Sequence, residues 1–167
     1  RMDVKYEKLN YNKILINTYR IKKSLAELFT RQFIIFQTAH VYTSLLNDVM
    51  NRRKYDEQLV KLQFYNGHFI IAIFKDSVIQ MIQTFPYKLA EDAMYYILRC
   101  NQQFGIDAKK TNVELSGMID LNTELYDNLF KVFSHIELNT SESSGIMLEV
   151  NKEYPAHYFA PFFKLAL

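Results

Sequence analysis

The chain has 167 residues, of which 49% are hydrophobic, so it is long and apolar enough to form one domain or two small ones with a large core. Its 20 basic and 18 acidic residues give a formal net charge of +2, which excludes a field strong enough to recruit nucleic acid. The single cysteine, Cys100, excludes an internal disulfide, and no apolar run has the length of a membrane span, so a cytoplasmic location is expected.

The N-terminal segment, residues 1–56, is predicted to have the order βαβα. Residues 12–20 carry β-branched and aromatic side chains at the density of a strand, and residues 22–32 place apolar side chains at helical spacing. A short strand of the buried type follows at 33–38, and a second helix at 39–55.

Three strand-like runs come next, at residues 57–65, 68–75 and 77–85. The pair Asn66-Gly67 separates the first two runs. Asn-Gly is the strongest short-range signal of a hairpin, because both residues accept a positive φ in a type I′ turn. These runs therefore predict an antiparallel meander.

A long helix is predicted after the meander, because residues 87–105 carry one apolar stripe and Gly105 fits a C-terminal cap. The remaining elements are shorter. They are a strand at 112–118, a helix at 122–133, a strand at 135–139, and a short C-terminal helix broken or kinked at Pro161.

The order from residue 57 onward is thus βββαβαβα, which is the order of the ribonuclease-H-like fold, a fold that two-domain actin-like proteins use twice. We therefore predict an α/β protein with a mixed sheet, in which residues 57–167 form a second ribonuclease-H-like domain. Residues 1–56 are then the end of a first actin-like domain. The first half of that domain, another βββα, is expected to precede Arg1 in a longer protein.

Specific strings lead to the same fold. FPYKLAEDAMYYIL (85–98) and VELSGMIDLNTELYDNLFKVFSHIEL (113–138) resemble a bacterial family of unknown function, widespread in the Bacteroidetes, whose members have an actin-like ATPase fold. ILINTYRIKKSLAELFTRQF (14–33) is similar to the region upstream of the meander in that family. The resemblance implies the fold and brings no established activity. Leu89 departs from the family pattern, because a hydroxyl residue able to cap the helix is expected there.

An actin-like ATPase needs an Asp-x-Gly sequence in the first hairpin of each domain. The turn amides hold phosphate, and the aspartate positions a metal-bound water. In this chain Gly67 is present, but Tyr65 occupies the aspartate position and His68 is bulky. The hairpin therefore predicts a plain turn in a degenerate phosphate loop, with a residual nucleotide contact at Asn66, Gly67 and His68 as the alternative.

The turn after the fourth strand of the domain is the second candidate contact. Ser116 and Gly117 fit the place where actin-like proteins keep small residues against adenosine, although Ser-Gly also commonly marks the end of a strand. Neither region supplies a carboxylate, so no catalytic residue is predicted and no cofactor is expected.

A nuclease is the other enzymatic use of this topology. It needs a carboxylate in the middle of the first strand of the domain, with others nearby, to hold two metal ions. The chain has Leu62, Gln63 and Phe64 there, and its four histidines are scattered without metal-ligand spacing. We therefore predict neither nuclease activity nor a metal site.

The C-terminal run is rich in aromatic side chains, namely Tyr154, Tyr158, Phe159, Phe162 and Phe163. A helix that closes the core is one account of this run, and a surface that docks a protein partner or a second copy is the other. The leading hypothesis is a non-catalytic binding or assembly scaffold with a degenerate nucleotide site. The alternative is a nucleotide-binding protein, or an ATPase that uses ATP and magnesium, whose catalytic aspartate lies in an N-terminal part absent here.

Overall fold

Two compact units make up the chain, Arg1–Arg53 and Lys54–Leu167. The assignment of the first unit to a preceding actin-like domain stays a prediction. The structure, a computed structural model, describes residues 1–11, 13–35, 38–50, 58–140 and 154–163.

The first unit consists of a hairpin and two helices. Strand β1 is Met2–Tyr11 and strand β2 is Lys13–Lys22, and the two pair antiparallel along their whole length. Helix α1 is Lys23–Gln32 and helix α2 is Val41–Met50. The observed order is therefore ββαα over the described residues, and the predicted order βαβα is wrong for this unit.

The observed order differs from the predicted one at two strands. Strand β1 was not predicted, because charged residues interrupt its apolar residues and one of its faces is exposed. The predicted strand at 33–38 is wrong at residues 33–35 and 38, which lie outside any strand. A β-branched run has strand propensity, but it forms a strand only where a neighbouring strand supplies hydrogen bonds. Residues 12, 36–37, 51–55 and 57 of the predicted elements lie outside the described part of the chain.

Packing in the first unit places α2 against the hairpin. Leu45, Leu46 and Val49 of α2 are buried, as is Leu9 of β1. One polar contact joins the same elements, since the Asn17 side-chain amide donates a hydrogen bond to the Thr43 hydroxyl at 3.0 Å.

The second unit is built on a five-stranded mixed sheet with the strand order β5-β4-β3-β6-β7. Strands β5, β4 and β3 are antiparallel neighbours, whereas β3, β6 and β7 run parallel. This arrangement confirms the predicted order βββαβαβα. The elements are β3 (Gln58–Tyr65), β4 (His68–Lys75), β5 (Val78–Pro86), α3 (Ala90–Gln103), β6 (Asn112–Gly117), α4 (Glu124–Val132), β7 (His135–Leu138), a 3₁₀ turn (Ala156–Tyr158) and α5 (Ala160–Phe163).

The core of this unit lies between one face of the sheet and helices α3 and α4. Leu62 and Phe64 of β3 pack there with Ile97 of α3 and Leu129 of α4, and all four are fully buried. Because side chains alternate along a strand, the intervening residues of β3 belong to the opposite face. The 3₁₀ turn and α5 pack on β6.

Helix α3 begins at Ala90 rather than at the predicted residue 87. Leu89 is its N-cap and has no side-chain acceptor, but the Asp92 carboxylate accepts the backbone N–H groups of Lys88 and Leu89, each at 3.0 Å. This is half of a capping box, and it replaces the hydroxyl cap that the sequence lacks. These hydrogen bonds lower the pKa of Asp92 from its ordinary value.

Candidate functional site

The two predicted contact regions meet at one end of the sheet. Strands β3 and β6 are parallel neighbours, so the turn after β3 and the loop after β6 leave the sheet at the same edge. Phe64 pairs with Gly117, and the Met118 N–H donates a hydrogen bond to the Phe64 carbonyl at 2.9 Å. The carboxyl ends of parallel strands are the usual place for ligand sites in open α/β sheets.

The predicted hairpin is confirmed, with Tyr65 pairing with His68 across a two-residue turn. Its turn type differs from the prediction. Gly67 has a φ of +77°. A type I′ turn requires a positive φ at Asn66 as well, and Asn66 is not among the described residues with positive φ. Positive φ at both central positions occurs instead in the next turn, at Asp76 and Ser77.

Tyr65 is the residue predicted to stand in place of the aspartate of an actin-like phosphate loop. Its ring stacks on that of His68, with centroids 4.9 Å apart and an angle of 8° between the planes. The Gln63 side-chain amide donates a hydrogen bond to the Tyr65 hydroxyl. Burial raises the pKa of Tyr65, so this group stays neutral and supplies no charge for a metal ion.

The second region has a packing explanation. Gly117 has a φ of +81°, and a Cβ atom placed on it would lie 2.1 Å from the Phe64 carbonyl oxygen. Only glycine fits this close approach of β6 to β3. Ser116 is buried opposite Gln63, on the sheet face away from α3 and α4.

A cleft of about 590 Å³ lies beside the turn. It adjoins a smaller hollow of about 290 Å³, with which it shares Tyr87, Lys88 and Met118. Of the predicted contact residues, Asn66 and Gly67 line the cleft. His68, Ser116 and Gly117 are not among its lining residues.

Three lining residues were missed by the sequence analysis. Tyr87 and Lys88 follow β5 directly, and Met118 follows β6, so their places after strands that end at one edge were the available signal. Tyr87 is hydrogen-bonded to the turn after β3. Its N–H donates to the Gly67 carbonyl at 3.0 Å, and its hydroxyl donates to the Tyr65 carbonyl at 3.2 Å.

Carboxylates occur only at the margins of the described cleft. Asp120 and Glu124 line the smaller hollow, and Asp120 accepts a hydrogen bond from the Tyr158 hydroxyl. Burial and this carboxylate together raise the pKa of Tyr158 to about 12. Across the described residues, no group of three or more His, Cys, Asp or Glu side chains has the geometry to hold a metal ion.

Lys61 directly precedes residues 62–64 in the middle of β3, where a nuclease of this topology would carry its carboxylate. The Lys61 ammonium lies 3.0 Å from a Glu114 oxygen on β6, and the residues are only 5% and 7% exposed. The Asn139 side-chain amide donates to the same Glu114 oxygen at 3.3 Å. This carboxylate is therefore held in a buried ion pair rather than presented to a metal ion.

The C-terminal run includes both buried and exposed residues. His157 and Ala160 are buried, and the His157 ring lies 2.9 Å from the Ile119 carbonyl. Tyr154 and Phe162 are about half exposed. Pro161 lies in the first turn of α5 instead of breaking it, as suits a residue without an N–H. The Phe163 side chain and residues 164–167 lie outside the described part.

The strand order, with the cleft at the ends of β3 and β6, is that of a mixed α/β protein with a ribonuclease-H-like fold. A family model described as protein of unknown function (DUF3822) matches residues 2–136, and the chain belongs to that family. None of the curated proteins matches the chain.

One solved structure supports this fold assignment. It is a Bacteroides thetaiotaomicron protein described as having an actin-like ATPase fold and unknown function. Its TM-score is 0.72 at 19% sequence identity, and the match covers 83% of this chain. The chain spans about half of that structure, 54% of its length. The likeness confirms the predicted fold.

Proposed function

We propose that this chain works by binding, as a non-catalytic scaffold or assembly subunit built on the actin-like fold. One observation supports the proposal, namely that a tyrosine, Tyr65, stands at the position predicted for the phosphate-loop carboxylate. A neutral phenol stacked on His68 neither orients a metal-bound water nor neutralises the charge of a metal ion. On this account the cleft is a degenerate nucleotide site.

The C-terminal run is the first surface we assign to a partner. Tyr154 and Phe162 are about half exposed, whereas Tyr158 and Phe159 are partly buried beside them. Aromatic side chains that stay exposed next to a packed segment are typical of protein interfaces. The partner is a protein, either a different chain or a second copy.

A second candidate function rests on the shape of the cleft. Gly67 has open space around it, and the turn stands at the sheet edge where phosphate would enter. A nucleotide could bind there if the missing aspartate came from an N-terminal part outside these residues. This alternative predicts an ATPase that needs magnesium and a longer chain.

No helix in the described ranges is both long and apolar enough to cross a membrane. The cytoplasm is the location we propose, because the single cysteine, Cys100, can form no internal disulfide.

The test combines affinity capture with a surface variant. Tyr154 and Phe162 are replaced together by serine, and the exposed Phe130 of α4 is replaced by serine as the matched control. We expect wild-type and control proteins to capture the same cellular protein and the double variant to lose it. Equal capture by the double variant contradicts the assignment of this surface, and measurable ATP hydrolysis by the wild-type chain contradicts the non-catalytic proposal.

A further inference from the structure

Helix α1 is the most exposed helix of the first unit. None of its ten residues is buried, and Leu25 and Leu28, which share one face, are 47% and 53% exposed. A helix of this length is marginal in water unless an apolar face packs against something. Its apolar stripe therefore needs a covering surface.

The charge around α1 indicates the chemistry of that surface. Lys23 pairs with Glu27 at 3.7 Å, and Lys22 and Arg31 lie at the two ends of the helix. The asymmetry extends to the whole unit. Residues 1–53 contain ten Lys and Arg against four Asp and Glu, a formal +6, whereas residues 54–167 contain ten against fourteen, a formal −4. A basic apolar surface is complementary to an acidic apolar one.

The second unit presents such a surface at the smaller hollow. Its lining includes the exposed apolar side chains of Leu89 and Met118 together with the carboxylates of Asp120 and Glu124. Lys88 is the one cation among the lining residues that the structure describes. The hollow has a volume of about 290 Å³, at the lower limit of small-molecule pockets, whose volumes begin at about 300 Å³. It suits one or two apolar side chains of a partner.

We propose that α1 of one copy docks on the acidic hollow of a second copy, with Leu25 and Leu28 facing Leu89 and Met118. The basic ends of the helix then lie near Asp120 and Glu124. This inference rests on the proposed function, because it specifies one way in which an assembly subunit associates. The two surfaces differ, so the contact is heterologous and each added copy leaves both a free α1 and a free hollow.

The test is sedimentation equilibrium over a range of concentrations, with one variant for each surface. Leu28→Asp removes the apolar face of α1, and Glu124→Lys reverses a charge at the hollow. Wild-type mass is expected to rise with concentration above the 19.9 kDa of one copy. Each variant alone is expected to self-associate at least tenfold more weakly than the wild type.

Mixing the two variants distinguishes this contact from a symmetric one. The Glu124→Lys chain keeps a normal α1 and the Leu28→Asp chain keeps a normal hollow, so the mixture is expected to form a 1:1 complex of twice 19.9 kDa that grows no further. Leu98→Asp and Glu137→Lys, which change exposed residues elsewhere, serve as controls that should associate like the wild type.

Three results would overturn the proposal: a wild-type chain that is monomeric at every concentration, variants that associate as strongly as the wild type, or a mixture that stays monomeric. Circular dichroism melting of each variant shows that a lost association is not a lost fold. Capture of a cellular partner by a strictly monomeric chain would leave the proposed function standing while the α1 contact fails.

Discussion

Replacing Gly117 by alanine tests the close approach of β6 to β3 that shapes the site. The new Cβ would lie 2.1 Å from the Phe64 carbonyl oxygen, whereas real Cβ contacts essentially never fall below 3.0 Å. Positive φ costs an L-residue about 1–2 kcal/mol, and forcing atoms into a packed region costs about 1–3 kcal/mol more. We therefore expect Gly117→Ala to destabilise the fold by about 2–5 kcal/mol in total.

Gly67 supplies the matched control. It has nearly the same φ, +77° against +81°, but a Cβ added there would meet no atom within 4 Å. Gly67→Ala should cost only the backbone term, about 1–2 kcal/mol. Urea unfolding of both variants measures the difference, since each midpoint with an unchanged slope reports stability. Equal losses for the two variants would refute the packing explanation of Gly117.

Three further predictions concern single side chains. Lys61→Met should destabilise the second unit by about 3–5 kcal/mol in urea unfolding, because it leaves the Glu114 carboxylate buried without its cation. The double variant Lys61→Met/Glu114→Leu should recover most of that loss. A cost below about 1 kcal/mol for Lys61→Met alone would contradict this prediction. The lowered pKa of Asp92 means that its carboxylate stabilises the fold above the ordinary value of 3.8, an advantage lost as the pH falls through the lowered pKa. Thermal melts of wild type and Asp92→Ala should therefore differ at pH 7 and converge in acid, and a pH-independent difference would argue against the cap. Burial raises the pKa of Cys100, so a thiol reagent should label it far more slowly in native than in urea-unfolded protein, and equal rates would show that it is exposed.

Sequence patterns predicted the second unit well because its signals are local. The Asn66-Gly67 pair and the single apolar stripe of α3 are each read within a few residues, and they fix strand direction and helix position. The first unit was harder to predict. Its β1 strand is marked by pairing with β2 and not by a hydrophobic period, and the apolar run from Phe33 was expected to find a strand partner that the described residues lack.

The predicted topology explains why the two predicted contact regions lie close together, but it does not explain which residues surround them. The parallel order brought the turn after β3 and the loop after β6 together, as expected from topology. The roles of the residues around these two segments depend on which side chains the fold buries. Gly117 is explained by the neighbouring Phe64 carbonyl, and the Lys61–Glu114 pair depends on the register of two strands about 50 residues apart in sequence. A local pattern contains neither piece of information.

The central claim, a binding protein whose nucleotide site is degenerate, is tested most directly by a thermal-shift titration with ATP and magnesium. A ligand at about 100 times its Kd stabilises a fold by about 2.7 kcal/mol, which raises the Tm of a domain of this size by roughly 5–10 °C. A binding protein with a degenerate nucleotide site should show no shift and no hydrolysis at millimolar nucleotide. A saturable, magnesium-dependent rise in Tm with release of phosphate would contradict it.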